Sequence, residues 1–143
     1  MGTQVSNPPT EIYTARTETI GGRESGVSRS SDGSLDIRFS APGSTRIGTN
    51  PEQLLAAGWS ASLASAIALV AQKNTVVLPS DLKVFAEVAI AYGIDGYVLA
   101  ARMSISMPGI EADMTSLWVD EARHICPFSK ALSQALDVTV IFD

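Results

Sequence analysis

The sequence predicts an α+β fold in which antiparallel sheets pack around one long, buried central helix. Short alternating segments broken by turns open the chain, an uncharged helical stretch follows, and a hairpin, helices and a β-branched segment close it. Strands and helices that come in separate runs favour α+β over a parallel α/β arrangement. Because 143 residues are close to the roughly 150 of one domain, we expect a single domain over residues 1–143, with residues 1–10 a polar, flexible N-terminus.

The region from Ile12 to Gly48 is typical of short strands separated by turns. Apolar residues at 35, 37 and 39 alternate with polar ones at 36, 38 and 40, the period of a strand with one buried face. Asp32-Gly33 comes just before this run and suits a hairpin turn.

The central helix has a clear predicted start. Asn50 is a good N-cap, Pro51 suits the first helical position, and Glu52 favours the positive end of the helix dipole. We expect the helix to run to Gln72 or Lys73. Leu54–Ala71 carries no charge, and 18 residues at about 1.5 Å each span roughly 27 Å, close to a membrane thickness. Its many small residues favour a helix in the core of a soluble protein.

The second half of the chain predicts a hairpin, two helices and a closing strand. The hairpin alternates over Leu82–Ile90 and Tyr97–Met107. The remaining expected elements are a helix over Glu111–Ile125, a short helix from Pro127 to about Ala135 and a strand over Leu136–Phe142.

Composition excludes several kinds of function. With 45% apolar and 17% charged residues, the chain is not of the disordered class. A net charge of −5 argues against nucleic acid as a partner. One cysteine and one histidine argue against a disulfide framework, a thiolate zinc site and a histidine metal site. Residues 1–10 lack the basic and apolar regions of a secretory signal, so we expect a cytoplasmic protein without a bound metal.

Cys126 is the first candidate for chemistry. Pro127 at a first helical position would make Cys126 an N-cap, where unpaired N–H groups stabilise an anion and lower the thiol pKa. Arg123 and His124 lie close in sequence and add positive potential. The alternative is a buried, inert cysteine that packs as a small apolar residue.

A serine-hydrolase interpretation starts from Gly58-Trp59-Ser60-Ala61-Ser62, which resembles a nucleophile elbow. That elbow needs a strand before it and a helix after it, whereas these serines fall inside a predicted helix. His124 is the only histidine available as a base. We therefore favour small serines that let neighbouring backbone approach the helix closely.

A family resemblance joins these segments. Three segments carry it: Gly48-Thr49-Asn50-Pro51-Glu52-Gln53-Leu54-Leu55-Ala56-Ala57-Gly58-Trp59-Ser60-Ala61-Ser62, Cys126-Pro127-Phe128-Ser129 and Gly21-Gly22-Arg23. Together these segments resemble the organic hydroperoxide resistance branch of the OsmC-like family. The resemblance extends from about Ile12 to Phe142. It departs from the family at Ser62, where the family has its peroxide-attacking cysteine. We interpret Ser62 as a one-atom substitution of that cysteine, either engineered or carried by a natural, catalytically silent variant.

The resemblance implies a two-cysteine thiol peroxidase. The position of Ser62 would supply the attacking thiolate, and Cys126 would be the resolving thiol. Arg23 would stabilise the thiolate and orient the peroxide, while Glu52 would hold the guanidinium in place. An apolar channel for organic peroxides would be lined by Trp59, Leu54, Leu55 and Phe128, of which Trp59 and Phe128 replace frequent tyrosines.

The resemblance also implies partners. These are alkyl or fatty-acid hydroperoxides as substrates, a lipoylated protein whose dihydrolipoyl dithiol is the external reductant, and a second copy of the chain in an intertwined homodimer with sites at the interface. No bound cofactor, membrane or nucleic acid is implied. Since a serine hydroxyl is scarcely ionised at neutral pH, we expect this chain to be inactive as a peroxidase. The alternative is a non-enzymatic binder that holds a fatty acid or hydroperoxide in the apolar channel.

Overall fold

A computed structural model describes residues 7–78 and 80–142. Residues 7–10 are exposed and have no regular secondary structure, while the rest of the predicted N-terminus lies outside the described residues. The chain divides into two compact units, one that ends at Asn50 and one that begins at Pro51. The expectation of a single domain stays a prediction.

The first unit is a three-stranded antiparallel sheet of β1 (Thr17–Ile20), β2 (Val27–Ser30) and β3 (Asp36–Arg38), in that order. The strand predicted from the alternation at 35–39 is therefore confirmed. Its apolar positions lie on the protected side, since Phe39 is buried and Ile37 is half-buried.

The predicted turn between β2 and β3 is confirmed, and Asp32 organises it. One carboxylate oxygen accepts hydrogen bonds from the Ser30 hydroxyl (2.6 Å), the Ser34 N–H (3.0 Å) and the Ser34 hydroxyl (2.7 Å). Gly33 follows at φ +76°, a left-handed conformation that glycine adopts without a steric cost. The hydroxyls of Ser30 and Ser34 hold the pKa of Asp32 at about 2, below its ordinary 3.8.

Replacing Ser34 by alanine should raise the pKa of Asp32 toward 3.8, because a hydroxyl donor to the carboxylate is lost. Because folding lowers this pKa, the hydrogen-bonded carboxylate stabilises the fold at pH values above the unfolded-state pKa of 3.8. This stabilisation is lost as the pH falls through the folded-state pKa of about 2. A carboxyl NMR titration of the parent and the variant measures the change. An unchanged Asp32 midpoint would contradict the assigned hydrogen bonds.

The second unit contains α1 (Pro51–Lys73), the hairpin β4 (Lys83–Gly93) and β5 (Gly96–Ser106), α2 (Ala112–Ile125), α3 (Pro127–Leu132) and β6 (Asp137–Phe142). All of these elements match predicted ones, with boundaries shifted by at most a few residues. The helix α1 contacts β4, α2 and α3. The core of this unit consists of apolar side chains from α1, β5 and α2, among them Leu63, Ile67, Met103 and Val119.

The second sheet is mixed. β4 and β5 are antiparallel, as predicted, but β6 runs parallel to β5, with Ala101 beside Val138. The expectation of a purely antiparallel sheet is therefore wrong for β6. The physical reason lies in the connection, because α2 and α3 carry the chain back to the starting end of β5, as parallel pairing requires.

The helix α1 begins at Pro51, as predicted, and is stopped by a backbone motif. The Val76 N–H donates to the Ala71 carbonyl and the Thr75 N–H to the Gln72 carbonyl. Thr75 has φ +56°, so it occupies the left-handed position that usually holds glycine. These bonds satisfy carbonyls that the helix end would otherwise leave without partners.

One side of α1 is buried and the other is not. Trp59, Leu63, Ile67 and Val70 are buried, whereas the opposite side, which includes Ala61, Ser65, Ala68 and Leu69, is exposed in the single chain. By length and composition α1 could cross a membrane. A single such helix is weak evidence, because core helices of soluble proteins pass the same test.

Candidate active site

Cys126 lies at the junction between α2 and α3. Its backbone is extended (φ −66°, ψ 117°), its N–H donates to the Ala122 carbonyl at the end of α2, and Pro127 opens α3. Its sulfur accepts the Ser129 N–H at 3.5 Å, which is the N-cap arrangement. The predicted N-cap is therefore confirmed. The side chain is fully buried.

Ser62 meets Cys126 in space. The Ser62 Oγ lies 3.4 Å from the Cys126 Sγ, although 64 residues separate them in sequence. The contact arises because α1 packs against α3. Ser62 is half-buried, so the pair sits at the edge of the core.

The hydrogen bonds around Cys126 favour its thiolate. Burial by itself raises the pKa of a thiol, since it removes water from the charged form. This effect is outweighed by the Ser129 and Ser62 hydroxyls and by the N–H groups of Ser129 and Phe128, so the pKa of Cys126 is lowered from 9.0.

Trp59 extends this network. Its indole Nε1 donates to the Ser129 Oγ at 3.0 Å, and both side chains are buried. Sequence reasoning placed Trp59 in a channel and missed this contact. Only the hydrogen bond from the Ser129 N–H to Cys126 could have been predicted from the sequence, because the third residue after an N-cap commonly donates to the cap. The indole contact joins residues that are 70 positions apart, and no local pattern reveals it.

The other predicted channel residues belong to the second unit and are partly exposed. Phe128 is 39% exposed, and its ring is 3.6 Å from where a side-chain Cβ would stand at Gly58. Leu54 and Leu55 are half-buried. That these residues and Trp59 line a channel stays a prediction.

Arg23 and Glu52 belong to different units. Arg23 is exposed in the turn between β1 and β2, and Glu52 is half-buried in the first turn of α1. The Gly21 that precedes Arg23 has φ +82°, and a Cβ there would stand 2.9 Å from Gly26. The first glycine of the motif is thus explained by backbone packing. That Arg23 and Glu52 serve the site stays a prediction.

Three basic side chains lie close to the cysteine segment. Arg123, His124 and Lys130 line a cavity of about 340 Å³ together with Ser129, Ser133 and Gln134. The His124 Nδ1 lies 2.8 Å from the Asp120 carbonyl oxygen. The sequence indicated positive charge from Arg123 and His124, and the fold adds Lys130 from α3.

The surroundings of the serines do not support an elbow nucleophile. Ser60 and Ser62 both lie inside α1, and the Ser60 hydroxyl donates to the Ala57 carbonyl at 3.1 Å. The strand-to-helix turn of such a nucleophile is thus replaced by continuous helix. Over residues 7–78 and 80–142, no group of three or more metal-ligating side chains is found.

Comparison with known proteins identifies relatives that match most of this chain. The family model for OsmC-like proteins matches residues 42–141. The organic hydroperoxide resistance protein of Xanthomonas axonopodis pv. citri is 35% identical over 95% of this chain and 98% of its own length. The organic hydroperoxide resistance protein OhrA of Bacillus subtilis is 34% identical over 90% of this chain and 94% of its own.

Solved structures show the same fold. The organic hydroperoxide resistance protein OhrB of Bacillus subtilis superposes with a TM-score of 0.86 at 28% identity, over 93% of this chain and all of that one. A Legionella pneumophila organic hydroperoxide resistance protein has the same TM-score at 30% identity, over 94% of this chain and 99% of its own. The chain therefore belongs to the OsmC-like family, among the organic hydroperoxide resistance proteins.

Proposed function

We propose that this chain has the architecture of a thiol-dependent organic hydroperoxide reductase whose attacking position is occupied by Ser62. The observation that carries the proposal is the 3.4 Å contact between the Ser62 Oγ and the Cys126 Sγ. Two cysteine sulfurs at these positions would need only a small approach to reach the roughly 2.05 Å of a disulfide bond. Peroxide consumption by a Ser62→Cys protein, supplied with a dihydrolipoyl dithiol, tests the proposal.

The proposed chemistry with cysteine at position 62 has three steps. Its thiolate attacks the peroxide O–O bond, the alkoxide leaves and takes a proton as an alcohol, and the cysteine becomes a sulfenic acid. The Cys126 thiolate then attacks that sulfur and forms a disulfide, and hydroxide leaves as water after protonation. An external dithiol gives two electrons and two protons, restores both thiols and becomes a disulfide itself.

With Ser62 the first step fails. A hydroxyl is scarcely ionised at neutral pH and lacks the nucleophilicity of a thiolate. The hydrogen bonds that lower the pKa of Cys126 therefore serve a resolving thiol that has no sulfenic acid to attack. The codon at position 62 in the source genome decides whether Ser62 is engineered or natural.

The proposed partners follow the same chemistry. Alkyl and fatty-acid hydroperoxides would suit an apolar channel lined by Phe128, Leu54 and Leu55, and a lipoylated protein would supply the dithiol without a bound cofactor. We place the protein in the cytoplasm, without a membrane or nucleic-acid partner. The acidic net charge of −5 supports the last point, because phosphate backbones bind basic surfaces.

We also propose a homodimer. The uncharged side of α1 that carries Ala61, Ala68 and Leu69 is exposed in the single chain. The hairpin likewise exposes large apolar residues, among them Ile90, Tyr92 and Tyr97. A second copy that packs on these surfaces would remove them from water, as in obligate interfaces, which are more apolar than ordinary protein surface.

Arg23 distinguishes an enzyme from a binding protein. Ser62 itself favours the second candidate function, a non-enzymatic binder of fatty acids or hydroperoxides. In a Ser62→Cys background, Arg23→Ala should lower kcat/KM for an alkyl hydroperoxide by about tenfold or more, because a neighbouring cation lowers a nucleophile's pKa by about 1–3 units. Arg16→Ala, which removes another exposed arginine of the same unit, is the matched control. Equal rates for all three proteins would favour the binder.

A further inference from the structure

We propose that Trp59 is a positioning residue for the Cys126 thiol, acting through Ser129. This goes beyond the predicted role of Trp59 in a substrate channel. It deepens the proposed function and rests on it, because a lowered thiol pKa matters for catalysis only if Cys126 is the resolving thiol. The hydrogen-bond geometry itself does not depend on the proposed function.

The contacts form a chain that is buried from end to end. Trp59 is 1% exposed, Ser129 is 4% exposed and Cys126 is not exposed at all. The indole N–H donates to the Ser129 Oγ at 3.0 Å. The Ser129 N–H in turn donates to the sulfur at 3.5 Å, and the Ser129 hydroxyl is a further group that lowers the pKa of Cys126.

The indole contact decides where the Ser129 hydroxyl proton points. A serine hydroxyl carries one donor and two acceptor lone pairs, and it rotates to suit its partners. An indole N–H can only donate, so it occupies a lone pair of Ser129 and directs the hydroxyl proton elsewhere. We infer that this leaves the proton directed toward the sulfur of Cys126, to which the N–H of the same serine already donates. Without the indole N–H the Ser129 hydroxyl is free to rotate, so it donates to the Cys126 thiolate for only part of the time.

Other charges do not account for this role. The helix α1 carries no charged residue from Leu54 to Ala71. Within one turn of Cys126, α2 carries Arg123 and His124, and α3 carries Lys130. None of these groups is altered when Trp59 or Ser129 is replaced. A change in the titration of Cys126 then reports the hydrogen-bond chain.

The experiment titrates the cysteine of the intact chain. Cys126 is the only cysteine, so its ¹³Cβ NMR shift, followed against pH, reports this thiol alone even though it is buried. Trp59→Phe should move the midpoint to higher pH and lower the thiolate fraction at neutral pH by roughly three- to tenfold, the scale of one hydrogen bond. The matched control is Trp118→Phe, which replaces the other buried tryptophan and should leave the midpoint unchanged.

A double-variant cycle separates positioning from general packing. Ser129→Ala should also raise the midpoint, and adding Trp59→Phe to it should raise the midpoint no further, because the intermediary is already gone. A second variant places 3-benzothienylalanine at position 59, which exchanges only the ring N–H for sulfur. An unchanged midpoint in that variant, or an equal Trp59→Phe effect with and without Ser129, would overturn the proposal. Neither readout depends on peroxide turnover, so the proposed function can fail separately.

Discussion

Replacing Ser62 by cysteine should give the chain the activity of an organic hydroperoxide reductase. The rate of consumption of tert-butyl hydroperoxide with dihydrolipoamide should rise roughly 10³-fold or more, the scale on which an essential nucleophile acts. The physical reason is that a sulfur at position 62 ionises near neutral pH and stands beside the Cys126 Sγ, as the Ser62 Oγ does at 3.4 Å. Peroxide loss and alcohol formation, measured together, check the stoichiometry.

The matched control is Ser60→Cys. Ser60 lies on the same helix but turns its hydroxyl to the Ala57 carbonyl, so a cysteine there should leave the chain inactive. Adding Cys126→Ser to Ser62→Cys should stop dithiol-driven turnover and leave a sulfenic acid that a dimedone probe traps. A folded Ser62→Cys protein that consumes no peroxide would contradict the proposed function.

Glu52 should act on the site of the other subunit. Glu52 and Ser62 are ten residues apart on α1, so about 15 Å of helix axis separates them within one chain. The Glu52 side chain also leans toward the N-terminal end of the helix, away from position 62, so we expect a guanidinium that contacts position 62 to be held by a carboxylate from another chain. In the proposed homodimer we expect the partner's copy of α1 to bring a second Glu52 to the site.

Complementation measures this directly. A Ser62→Cys, Glu52→Gln homodimer should lose roughly ten- to a hundredfold in kcat/KM relative to Ser62→Cys alone, since a charge-assisted hydrogen bond contributes about 1.5–3 kcal/mol. Co-expressing that chain with the parent chain, under two affinity tags, gives heterodimers in which one site joins the introduced cysteine to an intact Glu52. Their activity should recover to about half that of the Ser62→Cys homodimer.

The control heterodimer pairs the doubly substituted chain with a Glu52→Gln parent chain and should recover nothing. If the first heterodimer also fails to recover, Glu52 acts within its own chain or not at all. A protein that sediments as a monomer would contradict the homodimer on which the prediction depends.

Much of the fold was predictable because its signals are local. The start of α1 at Pro51 follows from Asn50, Pro51 and Glu52, whose effects act within one helical turn. The hairpin is predicted by the alternation of apolar and polar residues in its strands and by Gly93 and Gly96 at its turn. The turn before β3 is predicted by Asp32-Gly33. The parallel direction of β6 was not predictable from its β-branched residues, because those specify a strand but not its neighbour.

The candidate site divides in the same way. By itself the sequence determined that Cys126 caps a short helix, since Pro127 suits the first helical position. Through family resemblance it also indicated that position 62 holds the attacking side chain. Only the tertiary structure decided that the Ser62 Oγ lies against the sulfur and that Trp59 holds Ser129. These contacts join residues more than 60 positions apart, and they exist because the packing of α1 on α3 brings the two helices together, which no periodicity within either segment encodes.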